Sequence, residues 1–329
     1  MRTFRGLAFA CLSAWGLAAL PQPVFSQCQS FAGYANVAFV PGYNFAANPL
    51  DLDGTNLLTD VLNTPRAGCN CGMPDGTKVY VWDVTNQVFW PPATLSISNG
   101  GWDTNFYLPP GRGFVVKAAM AWTNTFVGNV CVCYTNHVFV AGSNKLSLIG
   151  PKFPAGVTIS GPYPYSSGNS GPYNHQFQGS DGDSLSLFPP GQSYQDAVQY
   201  FGGYGWFDPT GASGTNGPVV LIGGSFFIQH PGADYDWTEY LPCQLAAMDT
   251  ASSSPSPSIR SVRIRSDKLS LQVTQFGKHY DLQFSPDGIT WTTISADRND
   301  SIWTGPRPAG PQGFFRAVPS TSTSTKGVL

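Results

Sequence analysis

The segment Tyr34–Asn44 reads Tyr-Ala-Asn-Val-Ala-Phe-Val-Pro-Gly-Tyr-Asn, and a hundred residues later Tyr134–Asn144 reads Tyr-Thr-Asn-His-Val-Phe-Val-Ala-Gly-Ser-Asn. Six of the eleven positions match: Tyr34, Asn36, Phe39, Val40, Gly42 and Asn44. Unrelated segments of ordinary composition match at about one. Such an echo points to a supersecondary unit that has been copied, so the fold must accommodate two similar halves. Val37–Val40 reads as a short apolar strand, and Pro41-Gly42 as the turn that ends it.

Composition says what the copied unit is made of. Glu occurs once, at Glu239, while Gly 37 and Pro 28 make up about a fifth of the 329 residues. Strong helix formers are therefore scarce, whereas Val, Thr, Tyr, Phe and Trp are common. The 14% aromatic content argues against a disordered chain. The expected fold is all-β: two tandem duplicated β-sandwich-like units plus a small C-terminal β-module. Charged residues are only 11% and the formal net charge is −2, so no basic face of the size nucleic acid requires can be assembled. Attraction to anionic lipid is weak for the same reason.

The first unit spans residues 30–130. Thr77–Val84 alternates, with Val79 and Val81 set against Lys78, Tyr80 and Trp82, as a half-buried strand does. Gln87–Trp90 is expected to pair with it as a hairpin. One helical turn is expected at Leu57–Leu62, with Thr55 as its cap. The second unit, residues 133–241, keeps the landmarks of the first in order. Asp181-Gly182-Asp183 answers Asp75-Gly76-Thr77, and Gly205-Trp206 answers Gly101-Trp102. Gly223-Gly224-Ser225-Phe226-Phe227 answers Gly111-Arg112-Gly113-Phe114-Val115, and Trp237 answers Trp122.

Residues 246–258, rich in Ser and Pro with no apolar face, read as a linker. Residues 259–319 form a third, smaller unit with alternating segments at Ser261–Arg265, Leu269–Thr274, His279–Phe284 and Thr290–Ile294, closed by Phe314–Val318. Residues 320–329 read as a disordered tail. The segments Tyr280-Asp281-Leu282-Gln283-Phe284-Ser285, Asp287-Gly288, Thr290-Trp291 and Phe314-Phe315-Arg316-Ala317-Val318 resemble the small fibronectin type III-like modules near the C-termini of many exported bacterial proteins. About 60 residues are too few for a complete seven-strand sandwich. The tandem unit is similar to a β-unit that recurs in exported bacterial proteins. Neither resemblance implies a catalytic residue.

Arg2 and Arg5 precede an apolar run, Gly6–Leu20, and Val24-Phe25-Ser26 offers a cleavage site, so residues 1–26 read as an export signal. No second long apolar run exists to span a membrane. Six cysteines follow the signal: Cys28, Cys69, Cys71, Cys131, Cys133 and Cys243. An even number in an exported chain suggests disulfides, with a bridge between the Cys69/Cys71 loop and the Cys131/Cys133 strand preferred. Zinc and free thiols are the alternatives, and Cys-X-Cys lacks the usual zinc-ligand spacing.

Reactive constellations are thin. No Gly-X-Ser-X-Gly elbow and no nucleotide-binding glycine loop occur. His137, His175, His230 and His279 offer bases, but no nucleophile is marked out beside them. Asp51/Asp53 and Asp181/Asp183 present oxygens at alternate positions, which suits either Ca²⁺ or a self-capping turn, and the latter is the ordinary role of Asp near Gly. No cofactor is expected. Aromatic rings are the best binding signal: Trp90, and Trp102 and Trp206 directly after glycines, are candidate ligand contacts, with core packing as the rival reading. The expectation is an exported, non-enzymatic interaction or surface-structural protein with a protein or polysaccharide partner. A carbohydrate-binding module is the first alternative and a secreted hydrolase the second.

Overall fold

The computed structural model describes residues 31–62, 73–130, 135–154, 156–160, 174–176, 181–191, 195–202, 204–207, 213–214, 216–240, 257–265, 268–274, 279–288 and 290–320. The expected signal segment and all six cysteines lie outside them, as do residues 246–256 of the expected linker and 321–329 of the expected tail, whereas Ser258 already belongs to a strand and the Ser320 N–H donates to the His279 carbonyl. The fold is all-β, and the described residues include one helix, of four residues. The first unit contains β1 (Phe31–Phe39), β2 (Gly42–Ala47), α1 (Leu58–Val61), β3 (Lys78–Asp83), β4 (Val88–Phe89), β5 (Ala93–Ser96), β6 (Gly101–Trp102), β7 (Gly113–Ala118) and β8 (Trp122–Val130). Leu57, not Thr55, occupies the N-cap of α1, where its apolar side chain cannot cap, and the Thr55 hydroxyl instead donates to the Leu52 carbonyl at 2.7 Å.

The second unit contains β9 (Thr135–Val140), β10 (Lys145–Ile149), β11 (Val157–Ser160), β12 (Asn174–Gln176), β13 (Ser184–Leu187), β14 (Val198–Phe201), β15 (Gly205–Phe207), β16 (Ser213–Gly214), β17 (Asn216–Val220), β18 (Phe226–His230) and β19 (Tyr235–Tyr240). The C-terminal residues form β20 (Ser258–Arg265), β21 (Lys268–Thr274), β22 (Tyr280–Ser285), β23 (Thr292–Arg298), β24 (Ile302–Pro306) and β25 (Gln312–Pro319).

The C-terminal module does not stand alone. β25 pairs with β1, so one sheet runs β23-β22-β25-β1-β8 across both ends of the chain. A second sheet, β20-β21-β24, covers one of its faces. Ala32, Tyr34, Leu271, Tyr280, Leu282 and Phe315 are buried between these two sheets. The strands that 60 residues could not supply are thus contributed by the N-terminus. On the other face, Phe31, Ala35, Phe39, Phe126 and Phe314 join Val79, Val81, Phe114 and Val116 in the first unit's core. β1 is therefore buried on both sides, which explains the near-continuous apolar and small run Phe31–Ala35. Opposite Tyr34 the chain needs Gly313, since a Cβ there would meet the Tyr34 ring at 2.5 Å and Phe284 at 2.6 Å. Tyr34 and Asn36, two residues of the echo, tie down the same segment. The Tyr34 hydroxyl donates to Pro308 and the Asn36 amide to Gly310, each at 2.9 Å.

The main sheets of the two units have matching strand orders. One runs β2-β7-β3-β5-β6 and the other β10-β18-β13-β14-β15-β16, while β1 pairs β8 as β9 pairs β19. Local bonding matches as well. Gly76 N–H donates to Leu95 and Leu95 N–H to Thr77; Gly182 N–H donates to Tyr200 and Tyr200 N–H to Asp183. The first turns differ in length. The Asn44 side chain, four residues on, accepts the Val40 N–H, whereas Ser147, six residues on, accepts that of Ala141. The echo consequently runs out of step with burial: Phe39 is 1% exposed and Phe139 53%.

The two main sheets meet along a seam with paired contacts. Ala46 bridges Gly224 and Ile149 bridges Arg112. Ala47 N–H donates to Gly223 at 2.8 Å and Gly150 N–H to Gly111 at 3.0 Å. Ala46 and Ile149 hold corresponding places, facing Phe114 and Phe226 within their own sheets. These two bridges and two hydrogen bonds form pairs that exchange when the two units are swapped, as contacts in an isologous interface do. Gly150 is required by the close approach, because a Cβ would run into Ala47 and the Gly224 carbonyl.

Candidate functional site

The outer face of the first main sheet is the candidate. Val79 and Val81 point into the core, so Lys78, Tyr80 and Trp82 point out. Register places them in rows. Tyr43, Lys117, Lys78 and Thr94 lie side by side across β2, β7, β3 and β5, and Phe45, Val115 and Tyr80 form the next row. Trp82 faces Phe89 beyond them. The second unit covers part of this face. Phe188 stacks on Phe45 at 4.0 Å, and the Phe227 ring meets Trp82 edge-on at 5.1 Å. Trp82 Nε1 donates to the Leu146 carbonyl at 2.8 Å, and Gln87 Oε1 accepts the Leu146 N–H at 2.8 Å.

The rest of the face stays open. Tyr43 is 57% exposed, its ring 6.2 Å from Tyr80, which is 6.2 Å from Phe89. Lys117 Nζ lies 5.1 Å from the Tyr43 ring centre, within cation–π range. Burial pushes the Tyr80 hydroxyl above its ordinary pKa, Tyr43 adds to the rise and Lys117 opposes it.

Of the three tryptophans singled out from sequence, one is at the surface. Trp90 is 39% exposed. It follows Phe89 and projects from the opposite side of the strand. Its Nε1 donates to Asp83 Oδ2 at 2.9 Å, Arg112 lies 5.3 Å above its ring, and Phe106 is 5.9 Å away. The Trp90 N–H, followed by bonds from Asn86, holds the Asp83 carboxyl down at about 2. Trp102 is half-buried and packs against the first core. Trp206 is 2% exposed, so it cannot present a ring to a ligand. Its neighbour Tyr200 lies 5.3 Å away, and a Cβ on Gly217 would collide with its indole. Trp206→Ala is expected to cost about 3–5 kcal/mol of stability, read by urea unfolding, as truncation of a buried Trp does. A variant that melts like the parent would show that Trp206 is not a core residue.

Asp51, Asp53, Asp181, Asp183, His230 and His279 hold structural contacts, while the side chains of His137 and His175 lie outside the described residues. Asp51 Oδ1 accepts Gly54 N–H at 2.9 Å and Asn56 Nδ2 at 2.6 Å, closing its own turn. Asp53 accepts Asn129 Nδ2 at 2.7 Å. Asp181 accepts the Gly202 N–H, while Asp183 meets His230 Nδ1 at 2.5 Å inside the second core. Asp181 and Asp183 thus serve different partners. His279 and Asp297 meet at 2.6 Å on the surface. Among the described residues no group of three or more His, Cys, Asp or Glu is placed to hold a metal. None of their helices is long and apolar enough to cross a membrane.

The fold and this face define an all-β protein with an open aromatic row. Compared with known proteins, the chain matches no family model, no curated protein and no solved structure.

Proposed function

We propose that this is an exported, non-enzymatic protein that acts by binding, through the open half of the first unit's outer face. The observation that carries the reading is the run of rings from exposed Tyr43 through half-buried Tyr80 to Phe89, which borders Phe227 at the edge of the second unit. Side-by-side exposed rings mark interaction surfaces. The engagement of Asp51, Asp53, Asp181, Asp183 and His230 in turns and core supports a non-catalytic role. Export is supported by Arg2, Arg5 and the apolar run Gly6–Leu20. The matched strand orders and exchanged seam contacts support reading the two units as copies of one.

A polysaccharide partner is the second reading. Two of the rings carry hydroxyls and a lysine stands over one of them, a mixture that suits sugar faces and their polar edges better than an aliphatic protein patch. Affinity electrophoresis against a panel of soluble polysaccharides tests both readings. Tyr43→Ala is expected to weaken binding about tenfold, the equivalent of one lost ring contact of about 1.4 kcal/mol. Turnover of model esters or glycans at enzymatic rates by the purified chain would end the non-enzymatic reading.

A further inference from the structure

The open row contains an arrangement that folding alone does not favour. Lys78 and Lys117 are direct cross-strand partners, in register on β3 and β7. Both stand on the outer face beside Tyr43 and Tyr80. Like charges opposite one another destabilise a strand pair. This chain has only 17 Lys and Arg in 329 residues, so two neighbours in one row are conspicuous. Among the described residues no carboxylate forms an ion pair with either lysine. The nearest acid along the row is Asp103, beyond Thr94, about 10 Å from Lys78 by strand spacing. Its Oδ1 already accepts the Thr94 N–H at 2.7 Å.

We infer that this row binds an acidic polysaccharide, with sugar faces on Tyr43 and Tyr80 and anionic groups on the Lys78–Lys117 pair. The inference rests on the binding reading above and adds the chemical class of the ligand. Extended anionic sugars fit because the row runs across four strands, a span of about 15 Å, and places two cations within reach of a single charged unit. The ligand's charge then relieves the repulsion that the bare strands carry. The second unit supplies an internal contrast. Its corresponding positions are Leu146 for Tyr43, Ser186 for Tyr80, Ser184 for Lys78 and Gln229 for Lys117. Neither ring nor charge is repeated at those four positions.

The test uses the full chain without its export signal and two matched pairs of probes in titration calorimetry: polygalacturonate with its methyl ester, and dextran sulfate with dextran. The two pairs separate carboxylate from sulfate as the anionic group. At least one acidic polymer is expected to bind about tenfold more tightly than its neutral counterpart, with affinity falling as salt rises. Lys78→Gln and Lys117→Gln should each lower that affinity about tenfold and flatten the salt dependence, with unfolding midpoints no lower than the parent's, since each removes the like-charge repulsion. Tyr43→Ala should weaken acidic and neutral polymers alike. Equal affinity for the acidic and neutral members of both pairs would overturn the acidic preference while leaving the binding reading standing. Polyglutamate or a single-stranded oligonucleotide bound as tightly as the acidic polymers would also overturn it, since charge alone would then suffice. Silence toward all four polymers would overturn both the inference and the polysaccharide reading.

Discussion

His230→Ala should be among the most damaging single substitutions in the chain, lowering stability by about 3–5 kcal/mol. Asp183 is fully buried, and its Oδ1 lies 2.5 Å from His230 Nδ1. The imidazole also packs against the Tyr235 ring at 4.6 Å, and burial together with Asp183 drives the Tyr235 hydroxyl well above its ordinary pKa. Removing the histidine takes from the buried Asp183 carboxyl its 2.5 Å contact and from Tyr235 its ring neighbour, and the lost buried polar contact dominates the loss. The first unit shows what the site looks like without the pair. Thr77 stands where Asp183 does and Ala118 where His230 does, by strand register and by the shared bonds to Leu95 and Tyr200. Combining Asp183→Thr with His230→Ala should therefore recover most of the loss. Urea unfolding of the two variants decides it. A single variant within about 0.5 kcal/mol of the parent, the usual range for surface changes, would show that the pair contributes nothing to the core.

Phe315→Ala should destabilise more than the C-terminal module. Phe315 is fully buried beside Phe284 at 5.1 Å and Tyr34 at 6.4 Å, so its truncation costs about 3–5 kcal/mol. Its neighbour Phe314 faces the other way and stacks with Phe153 at 5.4 Å. Adjacent residues of one strand thus serve two cores. Because β25 and β1 share a ladder, the first unit and the module should unfold together, and Phe315→Ala should shift one common transition in calorimetry. Ending the chain before Gln312 should remove that transition and leave β1 with an open edge prone to aggregation. A separate module transition that alone responds to Phe315→Ala would contradict the shared ladder.

Local features of this fold were legible in the residues. Val79 and Val81 alternate with Lys78, Tyr80 and Trp82 because one face of β3 is buried, and that pattern survives folding unchanged. Glycine landmarks were equally readable: Gly111 and Gly223 both hold positive φ at matching turns. What stayed hidden depends on contacts distant in the chain. Nothing near Gly205-Trp206 announces that Tyr200 and Gly217 enclose the indole. The pairing of β25 with β1 joins residues from opposite ends, so the C-terminal residues read as a unit too small to close. β24 escaped notice because Ile302–Pro306 is short and mostly exposed on its outer positions. The candidate face was half visible. Lys78, Tyr80 and Trp82 were evident as the outward side of one strand, but Tyr43 and Lys117 join them only through register.

The Tyr34 hydroxyl reaches a carbonyl 274 residues away, and that span sets an order of events. Pairings so remote in sequence form slowly, because a very large loop must close before any bond rewards it. β1, the first of the described strands, thus gains its second neighbour only after β25 has been synthesised. A fusion partner joined at the C-terminus would sit beside this closing step, whereas one joined at a distant turn would leave it free to proceed.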